Sequence, residues 1–564
     1  MKATLQFTII AFLVPYVSSA EFFVGYEAQT RVTDHAAIDI DQQKIDLMLA
    51  LGRLENVKKI YEQGGNSQSI ARVNIIDSNI DVNTVAIPSG TEVVGKSVLG
   101  NQVYGTLLLG LGPNDDEALI QYPPKTMESN RNCQVGGLVS MDLEMTDGCF
   151  ADSGELRVLD SDIHFEYSYN SQFDNFNGRT IQRFSLFAEE EMAACGKNCP
   201  YNDFAKFVNY YGEYDYADKW IQAAFFEKST SFDRGNIDFS EVGKKALEPA
   251  VQIATKFMNI WMYTIRMMES ALDTCEVPCN DDGCKYDAVH NWDQAVAFHA
   301  GSLQDEGILL YAFADVMCRT FRSCGIDGSM RVGTSFANNK AIHHFKLGQS
   351  YILQKDCKNA RISKEEIVKA MTIPLIQATL FTAYAEGRDS GKLSSGDQAT
   401  KKVRAASFAA SVLPIVHHCS EGDASIIYEN LGIENGDDVH KEIDFPAVKE
   451  AFERNYQCMG VTCKGVGGIW EDGAYAKHAA PCQYEPVDET ARSGILFGHF
   501  LAILLMPLAI LGSVVAMRAS RKRRTLKAAE ENRQTVTGIL DDIGLEDVQL
   551  DGEQQDTPSL PSIA

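Results

Sequence analysis

Two hydrophobic periods divide the chain. From Val73 to about Asp162 apolar and polar residues alternate, as in ARVNIIDSNIDVNTVAIPSGTEVV, with PND, DG and SG at the turns, so this section predicts strands. From Phe184 to about Tyr456 the period lengthens to that of a helix, in EVGKKALEPAVQIATKFMNIWMYTIRMMESALDTC, DEGILLYAFADVMCRTF and KEEIVKAMTIPLIQATLFTAYAEG. Two helical segments, KKALEPAVQIATKF from Lys244 and VKAMTIPLIQATLF from Val368, look alike once single-residue gaps are allowed, which suggests a duplicated helical unit.

The ends predict where the protein works. Lys2 precedes the apolar FTIIAFLVPY, and small Ser18 and Ala20 suit a signal peptidase, so residues 1–20 read as a signal peptide. Gly494 to Met517 is an uncharged run of 24 residues, long enough as a helix to span a bilayer core of about 30 Å. RASRKRRTLK follows it with six basic residues, which places that side in the cytoplasm and predicts a single-pass type I plasma-membrane protein. The tail, 518–564, has no Tyr and therefore no Y-x-x-Φ signal for endocytic machinery.

Between the ends lies an acidic ectodomain, since the chain carries a net charge of −26. Nucleic acid is an unsuitable partner for such a field. All 14 cysteines lie between Cys133 and Cys482, on the lumenal side, which predicts disulfides. The resulting architecture is α+β but mainly α: a duplicated helical-bundle ectodomain with a strand-rich N-terminal section, stapled by disulfides and followed by one transmembrane helix. Its boundaries are a helix and strand-rich region at 21–183, a first helical unit at 184–355, and a second with a Cys-rich end at 356–493.

Charges placed in apolar helix faces mark the candidate chemistry. In YDAVHNWDQAVAFHAGS, Asp293 shares a face with Val289, Val296, Ala297 and Ala300. A buried carboxylate requires an Arg, a hydrogen-bond network or a metal. Tyr263 and Arg266 share a face in NIWMYTIRMMES, Tyr311 and Asp315 stand at i and i+4 in GILLYAFADVMC, and Glu386 closes an apolar helix. Oxygen ligands of these types suit a hard trivalent cation, and Arg266 could hold an anion beside it. The plainer reading is a set of structural ion pairs, Arg266 with Glu269 among them. Adjacent pairs His343-His344 and His417-His418 read as surface histidines, and EYDYAD, Glu213 to Asp218, as packing aromatics at a turn. The chain has no P-loop, G-x-S-x-G, H-E-x-x-H or dinucleotide fingerprint, and it reads as a non-enzyme.

The segments WDQAVAFHAGSLQDEGILLYAFADVMCRTFRSCG, WMYTIRMMESALDTC, YYGEYDYADKW and FERNYQCMGVTCKGVGGIW resemble the signature segments of the algal iron-assimilating periplasmic proteins. The resemblance is greatest to their membrane-anchored branch, the phytotransferrins, and runs from about Ile38 to Cys482. It implies a surface receptor that binds Fe(III) with carbonate as synergistic anion, is internalised, and releases iron on acidification. The signature maps onto Trp292, Asp293, Gly301 and Ser302. A fainter likeness to imelysin-type bundles, with their H-x-x-E metal motif, finds only His290 to Asp293 here. The candidate metal ligands are thus Asp293, Tyr263, Tyr311, Asp315, Glu386 and His290, with Arg266 for the anion. An imelysin-like metal-dependent hydrolase and a structural or adhesive surface protein are the alternatives.

Overall fold

The computed structural model describes residues 21–483 apart from internal stretches, the longest being 122–149, 170–179 and 187–200. The predicted signal peptide, membrane span and tail lie outside the described residues. At the start of the described chain, strands β1 (Glu21–Phe23) and β2 (Tyr26–Ala28) form a hairpin that turns through Val24 and Gly25, both at positive φ. Short helices, among them Ile38–Ala50 and Leu54–Gln63, lead into the strand section.

Six strands then close into a barrel: β3 (Ile70–Ser78), β4 (Glu92–Lys96), β5 (Gln102–Leu107), β6 (Glu117–Gln121), β7 (Ser153–Val158) and β8 (His164–Ser168). Their ring order is β3-β6-β5-β4-β7-β8, antiparallel throughout, with β8 returning to β3. The alternating pattern supplies the interior: Val73, Val93, Val103, Ile120, Leu156 and Phe165 point inward around Phe150 and Tyr167, which meet edge to face at 6.2 Å. Closure removes both sheet edges, and an irregularity between Ile75 and Asp77 lets β3 bend between its two partners. Alternation predicts the strands but carries no signal for closure. The barrel has its own core, distinct from that of the helices.

The helical part is organised by long, buried helices. Lys244–Ala254 continues through a π-helical turn, Thr255–Ile260, into Trp261–Glu276, so one predicted helix is three segments end to end. The wider turn brings polar residues inward. Lys256 Nζ pairs with Asp46 at 2.7 Å, and Asn259 reaches the Tyr61 hydroxyl at 3.4 Å. Among the described residues one helix, Cys357–Arg388, is long and apolar enough to cross a membrane, but 89% of its apolar window is buried within the protein. It is the core helix of the bundle. Residues on both sides of the predicted boundary at 355 join one apolar cluster, Trp261 and Phe313 from one side and Ile376 and Phe408 from the other. The two predicted units therefore share an interior.

Four disulfides are described: Cys275–Cys357, Cys318–Cys324, Cys419–Cys458 and Cys463–Cys482. Cys133, Cys149, Cys195, Cys199 and Cys279, and the side chain of Cys284, lie outside what is described.

Candidate functional site

Asp293 is fully buried in the helix Asp282–Ala300, and its partner is a hydrogen-bond network. One carboxylate oxygen accepts from the Tyr26 hydroxyl at 2.5 Å and from Gln349 Nε2 at 2.9 Å. The other accepts from the backbone N–H groups of Gln29 and Thr30, each at 2.8 Å, and from Thr30 Oγ1 at 2.9 Å. Five donors occupy the lone pairs of the group. Burial pushes its carboxyl above the usual range, while the bonds from Tyr26, Thr30 and Gln349 act to lower it. His290 Nδ1 lies 3.0 Å from Thr30 Oγ1. Because Thr30 spends its one proton on Asp293, the imidazole must be the donor there. The pair His290 and Asp293 thus fastens the strand-β2 segment to the helix.

A second clasp holds the end of the same helix. Gly301 has φ +74°, and a Cβ there would stand 2.6 Å from Asp39 Oδ2, so this turn requires glycine. Asp39 accepts from Ser302 Oγ and from the Leu303 N–H, both at 2.8 Å. Gly301 and Ser302 therefore anchor the N-terminal segment. Burial raises the Asp39 carboxyl to about 6, above its ordinary 3.8. A raised carboxyl contributes stability that is present below about pH 4 and lost as pH rises through about 6. We expect wild type to gain on the order of 2 to 3 kcal/mol from this group between pH 7 and 4, an increment that Asp39→Asn lacks. Urea unfolding of both proteins across that range gives the difference, and parallel curves would reject the assignment.

The other predicted residues occupy separate neighbourhoods. Tyr263 stacks on Phe184 at 3.9 Å with the Arg266 guanidinium 5.5 Å from its ring. Arg266 borders a recess of about 10 Å³ with Tyr201, Asp203 and Glu269, the room of one water. Glu269 is taken up by Lys364 at 2.5 Å and Arg361 at 3.0 Å, where the sequence suggested Arg266. Tyr311 faces His299 edge-on at 6.2 Å, and Asp315 accepts from the Ser335 N–H and Asn338 Nδ2, both at 2.7 Å. Glu386 lies half-buried near the end of the core helix. Among the described residues no three His, Cys, Asp or Glu side chains stand together as a metal site. The EYDYAD turn packs as its aromatics suggest, with Tyr216 stacked on Tyr211 at 5.1 Å and Lys219 bridging Glu213 and Asp215.

A cavity of about 230 Å³ lies elsewhere among the described residues. Asn202, Asp203, Lys206, Lys364, Lys369 and His418 line it, beside the Cys419–Cys458 disulfide. Lys364, 3% exposed, is held 2.5 Å from Asp203 and 2.5 Å from Glu269, and Lys206 reaches Asp203 at 2.9 Å. Burial acts to raise the Asp203 carboxyl, but the two lysines outweigh it and hold it below the usual range. Burial likewise acts to lower Lys364, and its two carboxylates overcome that. At the rim Lys369 pairs with Glu366 at 2.6 Å. This cluster is not among the candidates the sequence offers above, although its signal is of the Asp293 kind: Lys364, Ile367, Val368 and Met371 share one helix face. No protein-family model, curated protein or solved structure matches this chain.

Proposed function

We propose that the protein is a cell-surface receptor rather than an enzyme, and that its cargo is ferric iron held with carbonate. The observation that carries this reading is the mixed-charge cavity of about 230 Å³ around Lys364. A small ion complex needs a polar recess with charges of both signs and limited access to water. Lys206 and Lys369 would hold the carbonate by charge-assisted hydrogen bonds, while Glu365 and His418, which also line the cavity, would offer the metal oxygen and nitrogen. The likeness of the signature segments to the phytotransferrins supplies the identity of the cargo. In this reading the ectodomain stands outside the cell on the span 494–517, and endocytosis carries it inward. The kinship of the Pro249 and Pro374 helices, each with a buried Gln three residues on, is then a trace of duplication.

Equilibrium dialysis of the full chain against ferric iron, in buffer free of chelating anions, tests the proposal. Iron retention is expected to require bicarbonate and to fall in mild acid as carbonate protonates. Lys369→Gln should weaken it about ten- to a hundredfold, the worth of one charge-assisted hydrogen bond of about 1.5 to 3 kcal/mol. Equal retention with and without bicarbonate would exclude the synergistic anion. Retention that ignores both Lys206→Gln and Lys369→Gln would place the cargo elsewhere.

A further inference from the structure

The loop Gly325–Gly333 displays apolar side chains to solvent. Ile326 is 84% exposed, Val332 66% and Met330 51%, and Tyr475 nearby is 38% exposed. The backbone that carries them is held in place. The Cys318–Cys324 disulfide closes the base of the loop, Cys324 and Met330 exchange backbone hydrogen bonds at 2.9 Å, and the Gly325 N–H donates to Thr334 at 2.8 Å. A rigid display of three large apolar groups in seven residues implies something that covers them.

The neighbours of the loop identify the occupant. The Arg322 guanidinium lies 4.2 Å from the Trp470 ring, and Trp470 meets Tyr475 edge to face at 4.9 Å across the hairpin Trp470–Glu471 and Ala474–Tyr475. The Gly468 N–H donates to Phe321 at 3.0 Å, and a Cβ on Gly328 would be 3.2 Å from the Lys464 carbonyl. The loop is therefore built onto the segment stapled by Cys463–Cys482. From Cys482 the uncharged run at Gly494 is 12 residues away, at most about 40 Å of extended chain. The apolar loop thus belongs to the part of the ectodomain tethered nearest the predicted span.

We infer that this face, with Ile326, Met330 and Val332 at its tip and Trp470 and Tyr475 beside them, rests on the outer leaflet of the membrane that anchors the chain. Aliphatic tips enter the headgroup boundary, indole and phenol rings sit at its level, and Arg322, Arg331 and Lys464 keep their charges in the hydrated layer. Two of the acidic groups here are engaged, Asp327 accepting from Ser329 at 2.7 Å and Glu471 pairing with Arg388 at 3.1 Å and accepting from Tyr384 at 3.0 Å, while Asp472 at the hairpin turn is exposed and stays in the hydrated layer with the basic groups. Docking in this way fixes the orientation of the ectodomain on its stalk. The inference rests on the anchored-receptor reading and is independent of the cargo.

The test uses the full chain in phosphatidylcholine vesicles, with and without lipid brominated on the acyl chain near the headgroup. Trp220, Trp261 and Trp292 are buried and give a constant background, and Trp470, which itself belongs to the docking face, is replaced by Phe (Trp470→Phe) in both reporter chains and in the reference chain. Ile326→Trp places a reporter at the tip, and Ile76→Trp, at a barrel position 63% exposed, serves as control. The added emission from position 326 should be blue-shifted and quenched at least twofold by bromolipid, while that from position 76 is unchanged. A chain that floats with the vesicles but shows equal quenching at the two positions overturns the docking alone. Blue-shifted emission without quenching indicates a protein contact and also overturns it. A chain that fails to float removes the anchor and the docking together.

Discussion

Asp293→Ala should destabilise the protein by about 3 to 5 kcal/mol and release its N-terminal hairpin. The substitution leaves two backbone N–H groups, two hydroxyls and an amide without their acceptor around a fully buried position. Backbone donors cannot turn away, so their desolvation is uncompensated. Asp293→Asn should cost less but still be unfavourable, because its amide nitrogen must face either two backbone N–H groups or Gln349 Nε2. Gln349 cannot simply flip, since the same nitrogen donates to the Glu27 carbonyl at 3.1 Å. Calorimetry gives the loss, and hydrogen exchange at residues 23–30 should rise before the global transition. Ferric retention by the folded fraction should be unchanged, which separates this residue from the Lys364 cavity. A stable Asp293→Asn protein that loses iron would reverse both assignments.

Lys364→Met should cost a comparable 3 to 5 kcal/mol, roughly the penalty for removing one partner from a buried ion network. It leaves Glu269, 2% exposed at its side chain, with Arg361, and Asp203 with Lys206 alone. The pH dependence identifies the cause. In wild type the depressed Asp203 carboxyl contributes stability that is present above its unfolded value of about 4 and lost as pH falls through its lower folded value. Without Lys364, burial acts on the Asp203 carboxyl against one lysine only and moves it upward, so it takes up a proton at higher pH than in wild type and the gap between wild type and variant should narrow from pH 7 to pH 4. A Lys364→Met/Glu269→Leu double variant should recover part of the loss, because a packed apolar pair replaces a broken ionic one. A single variant within about 1 kcal/mol of wild type at pH 7, by chemical unfolding, would show that the network contributes little.

Much of the fold was legible because the two hydrophobic periods, 2 and 3.6, are properties of neighbouring residues. Alternation located the strands from Val73 onward, and the helical stripe located the Trp261, Asp293 and Tyr311 helices. The same logic flagged Asp293 as a buried charge, since a carboxylate among Val and Ala on one face is visible in the sequence. What satisfied it was not visible: Tyr26, Thr30 and Gln349 stand 267, 263 and 56 positions away. Periodicity reports which face is buried and nothing about what lies opposite.

The sequence by itself determined which segments are helix and strand, that certain carboxylates must find partners inside, and that the cysteines favour pairing with one another. Local sterics, side-chain period and redox chemistry settle these without reference to distant residues. Only the tertiary structure decided that the strands close into a barrel, that Asp293 and Asp39 hold the N-terminal segment against one helix, and that Lys364 joins Asp203 to Glu269 beside a cavity. Each of these depends on which elements meet, and that is set by the packing of complementary apolar faces over the whole chain, a sum of many weak contacts with no local signature.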